Sequence, residues 1–293
     1  MPAKRPKAAS KKKKPAKRTK AVPKKKKTVP PIMGAHPAKG SFIADVLNAT
    51  DGETTLNFPH RSLIERVNKR KSFVSKLREC IKTHHASADQ LKRDRERRAA
   101  FKKLGLEKEA KKIKRFPRNS DTRKGNLAEV LLAEYLEVVC KAKVPIFRLR
   151  YNPNVDQSMK GDDLLLFDFD SNPPRVIVGE AKFRSASSTT TVRKMVEALQ
   201  VSLDSGTPAS LTFVADRLFE QGEEELGKQV NAVPELLVVG KVEMAYVGFL
   251  LSDAKAATRI NGSTAPFKGR LALLSLSLDK PTSLVAPCYK GLS

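Results

Sequence analysis

Residues 161–184, GDDLLLFDFDSNPPRVIVGEAKFR, hold two short apolar runs separated by a Ser-Asn-Pro-Pro break, and this stretch limits the fold more than any other. Leu164–Phe167 follows directly on Asp163, and Arg175–Val178 leads into Gly179-Glu180-Ala181-Lys182. Apolar runs of this length, bounded by turn residues, predict a central hairpin buried on both faces. Alternate residues of a strand share a face, so Glu180 and Lys182 point one way and Ala181 the other. If the two strands are neighbours, Asp163 approaches Glu180. Two carboxylates and an ammonium then meet at the end of an apolar sheet. Desolvating such a group costs too much to be incidental unless a cation or a charge network compensates. The plainer reading of Glu180 and Lys182 alone is a same-face ion pair on one strand.

Charge divides the chain unevenly. The 293 residues carry a net charge of +26, yet residues 125–293 are almost neutral. Residues 1–31 contain 14 Lys and Arg and no acid, and residues 56–124 contain 23 basic against 8 acidic residues. A near-neutral globular half behind a strongly basic front half points to a polyanionic partner, with DNA or RNA foremost. Cys80, Cys140 and Cys288 are odd in number and widely spaced, which fits neither a disulfide framework nor a zinc site. No apolar run reaches the ~20 residues that span a bilayer, and the N-terminus has no apolar signal core. The expectation is therefore a soluble, intracellular protein without membrane contact, cytoplasmic and bound to nucleic acid, or nuclear in a eukaryotic host.

Three regions follow. Residues 1–31, rich in Lys, Pro and Ala, are expected to be a disordered tail that binds phosphates through counterion release. Residues 32–117 read as a basic, mainly helical region. Helical spacing runs from Pro59 through Leu63, Val67, Phe73, Leu77 and Ile81. His84 and His85 mark a turn, and a second, very polar helix covers 88–113. Its crowded Lys and Arg predict either a solvated face or, with few acids nearby, a DNA-facing surface. Residues 118–293 read as an α/β domain. Ser120 or Asp121 caps a helix to about Lys141, and Pro145–Tyr151 reads as a strand before the hairpin. A helix follows over 191–203, then a strand at Leu211–Ala215, a helix over 216–228, and apolar runs at Met244–Leu251 and Leu271–Leu278.

Asp163 followed by Glu180-x-Lys182 on the next strand resembles the PD-(D/E)xK nuclease superfamily. Within it, the segments GNLAEVLLAEYLE, RLRYNP, KGDDLLLF, VGEAKFR and FVADRLFEQG are similar to the nuclease subunit of Hachiman anti-phage defence systems, from about Arg118 onward. The resemblance implies a restriction-endonuclease-like core, a mixed central sheet flanked by helices, that cleaves DNA with Mg²⁺, or Mn²⁺ in its place, alongside a helicase partner. It also implies roles. Asp163, Glu180 and the Ala181 carbonyl would hold the metal, Lys182 would assist the attacking water, and Glu129 occupies the acidic position of the first helix. Such a ligand set suits Mg²⁺, which takes few carboxylates and keeps several waters. A depressed pKa would let Lys182 take the water's proton. Some relatives place a Gln near the metal, which makes Gln200 a candidate. Arg184, Lys160 and Lys124 are candidates for flanking phosphates. Asp162 should face the other side of the strand, although a bulge would exchange it with Asp163.

Two other readings remain open. One is a restriction-type endonuclease with its own sequence specificity. The other is an inactive DNA-tethering protein on the same fold. No Gly-x-x-x-x-Gly-Lys-Ser/Thr loop is present, so an ATP-driven step would have to come from a partner.

Overall fold

The apolar runs near residues 244 and 271 become the two middle strands of a six-stranded sheet in the computed structural model. The structure describes Met1 and residues 31–292. The tail expected over residues 1–31 thus lies almost wholly outside the described residues. In chain order the elements begin with α1 (Phe42–Val46), β1 (Leu47–Glu53), β2 (Pro59–Glu65), α2 (Arg70–His85), α3 (Ala88–Lys103) and α4 (Glu107–Lys112). Next come α5 (Ser120–Cys140), a 3₁₀ turn at Arg148–Tyr151, β3 (Leu164–Asp168), β4 (Arg175–Phe183), α6 (Thr189–Asp204), α7 (Leu211–Glu220), α8 (Glu224–Asn231) and α9 (Val233–Val238). The last are β5 (Glu243–Ser252), α10 (Ala256–Ser263), β6 (Leu271–Ser277) and α11 (Thr282–Tyr289).

The strand order is β1-β2-β6-β5-β4-β3. The middle pairings from β2 to β4 are parallel, and the two outer pairs are antiparallel. Strands covered on both faces need no polar side, which is why β5 and β6 read as nearly unbroken apolar runs. One core layer packs Ile177, Ala181 and Phe183 of β4 against α5, with α2 and α11 behind. The other packs Val176 and Val178 against Val192, Met195 and Leu199 of α6 and Leu211, Val214 and Leu218 of α7. The result is a mixed α/β fold with helices on both faces. Among the described residues, no helix is long and apolar enough to cross a membrane.

Several expectations are corrected. The hairpin is at the end of the sheet rather than its centre, with β3 as the edge strand. A single residue closes part of that edge: Lys143 exchanges two backbone hydrogen bonds of 2.9 Å with Phe167. No strand forms at Pro145–Tyr151, where Pro145 has no N–H to donate to a ladder and the chain tightens into the 3₁₀ turn. Leu211–Ala215 is helical. Its apolar residues continue to Leu218 at i, i+3, i+4 and i+7, a period that a five-residue window hides. Pro59–Glu65 is strand, pairing β1 on one side and β6 on the other. The sheet therefore joins residues before 117 to those after it, and Ile32 onward forms one unit. The expected helix over 88–113 breaks at Gly105, whose φ of +71° favours glycine.

Candidate active site

The site begins where β3 stops. Leu164 pairs with Gly179, and beyond it the ladder ends, leaving the Ala181 amide without a strand partner on that side. Asp163 replaces it: one carboxylate oxygen accepts the Ala181 N–H at 2.9 Å. In an extended strand the N–H and C=O of one residue project to the same side, so the Ala181 carbonyl faces this opening too. Continuing the register sets Asp163 across from Glu180, and their carboxyls meet within hydrogen-bonding reach. Lys182 donates to Glu180 from two residues on, along the same face.

Glu129 arrives from α5, capped by Asn119, whose side chain accepts the amides of Asp121 at 2.8 Å and Thr122 at 3.0 Å. Close approach of α5 to the sheet depends on Gly179. A Cβ there would come within 3.0 Å of the Leu132 side chain and 3.1 Å of Leu164. Glu129, Asp163, Ala181, Lys182, Arg184 and Lys124 line one open cleft of about 550 Å³. Lys160 does not line it, and its carbonyl accepts from Arg148 at 3.0 Å. Gln200 is drawn elsewhere, donating to Asp204 at 2.7 Å and accepting the Lys268 amide at 3.1 Å. Asp162 is buried behind the cleft. It accepts from Ser202 Oγ at 3.1 Å and from the Ser210 amide at 2.9 Å, which ties the start of the hairpin to α7. The two neighbouring aspartates thus face different surroundings without a bulge.

Electrostatically the cleft is short of positive charge. Burial and the nearby Asp163 carboxylate push the Glu180 carboxyl above the usual range, with Lys182 opposing. Glu129 is pushed up in the same way, by burial first and by Asp163 next, against the opposing charge of Arg148. Acids that raise one another call for a cation between them. Among the described residues no group of three or more His, Cys, Asp and Glu side chains forms a metal cage. What the cleft offers is two carboxylates and a carbonyl, all hard oxygen donors, with room for waters. This donor set fits Mg²⁺ or Mn²⁺ and lacks the Cys and His that would suit zinc.

Sequence reasoning missed three neighbours. Arg148, within the expected strand, sits beside Glu129 and Asp163 on the wall of an inner cavity of about 30 Å³. Its Nη1 is buried without a partner among the described residues. The presumed turn histidines are the last two residues of α2, and both are buried. His84 pairs with Glu134 at 2.9 Å, which gives the acid of α5 after Glu129 a structural partner. His85 has its Nδ1 at 2.9 Å from the Ile81 carbonyl and its Nε2 at 3.0 Å from the Asn126 side-chain amide. With Nδ1 donating and Nε2 accepting, the ring is neutral and braces α5 one turn from Glu129.

Residues 40–289 match the sequence profile of the HamA family. The chain belongs to the HamA family. A curated relative, Hachiman protein HamA of Bacillus cereus, is 32% identical over 258 residues, covering 88% of this chain and 93% of its own length. The match to the family starts well upstream of Arg118. It takes in β1 and β2 as well as the hairpin, consistent with a sheet shared by both halves. All the cleft residues fall within it.

Proposed function

We propose that the chain is a Mg²⁺-dependent nuclease that hydrolyses DNA phosphodiester bonds as a component of Hachiman anti-phage defence. The observation that carries this reading is the meeting of Asp163, Glu180 and Lys182 at the open end of β4, with Glu129 on the facing helix. The order acidic helix, Asp-bearing strand, Glu-x-Lys strand supports a place in the PD-(D/E)xK superfamily. Kinship with a Hachiman protein supports the defence role and, through the system's logic, a helicase partner that supplies the ATP-driven step absent here.

In this reading Asp163, Glu180 and the Ala181 carbonyl hold the metal. A bound Mg²⁺ would supply Lewis-acid polarisation of the scissile phosphate and of the attacking water. Lys182, kept at the cleft by Glu180, orients the attacking water, whose proton passes to solvent through the open cleft. Glu129 accepts hydrogen bonds from water on the opposite wall. Arg184 and Lys124 flank the opening, where they meet the neighbouring phosphates. Incubating the chain with plasmid and Mg²⁺ should give nicked or linear products that EDTA suppresses. Intact plasmid in every arm, including with the helicase partner and ATP present, would replace the enzyme by a DNA-tethering protein.

A further inference from the structure

α3 is a helix with almost nothing to pack. Its buried side chain is Asp94, which binds Arg115 at 2.7 and 3.3 Å, and Leu91 and Phe101 are only partly covered. A capping box holds its start, Ser87 accepting the Gln90 amide and Gln90 accepting that of Ser87. Sixteen residues at ~1.5 Å each make a rod about 24 Å long. Its outer face carries Lys92, Arg95, Lys102 and Lys103, at i, i+3, i+10 and i+11, all exposed. No ion pair or hydrogen bond engages these four among the described residues. Asp89 and Glu96 are its exposed acids, too few to neutralise the face.

The Asp94–Arg115 pair ties α3 to the segment before α5, and that segment is fastened beside the cleft. Asp156 accepts from Lys114 at 3.2 Å and from the Arg118 and Asn119 amides, and its carbonyl accepts from Thr122 of α5 at 2.9 Å. Two residues further on, Ser158 lines the catalytic cleft. We infer that α3 is an arm that grips the phosphate backbone of duplex DNA without reading sequence, with the Asp94–Arg115 pair and Asp156 together fixing it relative to the cleft. The choice of a phosphodiester strand over other polyanions rests on the nuclease reading. A protein partner fits less well. Interface cores are apolar and aromatic, and this face offers neither beyond Leu104 and Leu106 past its end.

The test uses the full chain with Lys92, Arg95, Lys102 and Lys103 all replaced by Gln, a residue of good helix propensity. Binding to a short duplex is measured against salt in EDTA, so that no cleavage is needed. Each lost phosphate contact removes ~0.9 from the slope of log K on log salt, so loss of all four should lower it by about 3.6. Affinity at low salt should fall at least ~10-fold. A companion variant with Lys92, Lys102 and Lys103 replaced by Arg should keep the parent slope, which separates charge from folding. With Mg²⁺, the Gln variant should show a raised KM and an unchanged kcat. A shallower slope with no cleavage by either protein, even with the helicase partner and ATP added, would keep the arm and remove the nuclease reading. An unchanged slope in the Gln variant would overturn the arm and leave the face to an acidic protein.

Discussion

Asp163 gives one oxygen to the Ala181 amide and turns toward Glu180, while Asp162 spends both oxygens on Ser202 and the Ser210 amide. Substitutions should separate the two. Asp162→Ala removes a buried acceptor from two donors and should lower unfolding stability by about 1–3 kcal/mol, read by denaturant melts, while cleavage below the melting range survives. Asp163→Ala should do the reverse. Freeing the Ala181 amide is offset by relief of repulsion with Glu180 and Glu129, so the melt changes less while cleavage is abolished. Arg148 supplies the opposing charge that lowers the proton affinity of Glu129. Replacing it by Met should therefore shift the acid limb of the pH–rate profile toward higher pH, and Arg148→Lys should restore most of it. A profile that does not move would reduce Arg148 to packing.

At the scale of elements, the tie between α2 and α5 through His85 gives the fold a pH dependence of known sign. Burial lowers the His85 pKa from 6.5 to about 4. The unfolded chain takes up a proton near pH 6.5 that the folded chain refuses, so stability is full above that pH and falls as pH drops toward 4. At ~1.4 kcal/mol per unit the loss is about 3 kcal/mol across the window. Melts of the His85→Gln variant should start lower at neutral pH and lose less between pH 6.5 and 4; equal losses would assign the acid sensitivity elsewhere. These histidines also show where the sequence stops being legible. The hairpin could be read because a Pro-Pro break and alternate-face logic act within 24 residues. His84 and His85 find their partners in Glu134 and Asn126, 50 and 41 residues away, and nothing local announces them. Leu211–Ala215 failed for a related reason, since four apolar residues in five suit a buried strand or one turn of helix until Leu218 is counted. The edge position of β3 was hidden as well. Its residues are as buried as those of a central strand because Lys143 and the helices cover them.

For the whole molecule, the charge division remains the dominant feature: +26 overall, with the cleft-bearing half almost neutral. Residues 1–31, with 14 basic side chains, should add a sequence-independent component to DNA affinity. Deleting them should flatten log K against log salt equally on all duplexes, at ~0.9 per phosphate released; an unchanged slope would dismiss the tail as a tether. The proposed cleavage depends on Asp163, Glu180 and the Ala181 carbonyl holding one metal ion. The most direct measurement is Mn²⁺ binding to the chain by itself, followed by calorimetry or electron paramagnetic resonance, since it needs neither a partner nor a cleavable substrate. The wild-type chain should bind the ion, Asp163→Asn and Glu180→Gln should lose it, and Lys182→Ala should keep it while losing cleavage by ~10²–10⁴-fold. Mn²⁺ binding that is absent from the wild-type chain, or indifferent to both carboxylate substitutions, would contradict the account.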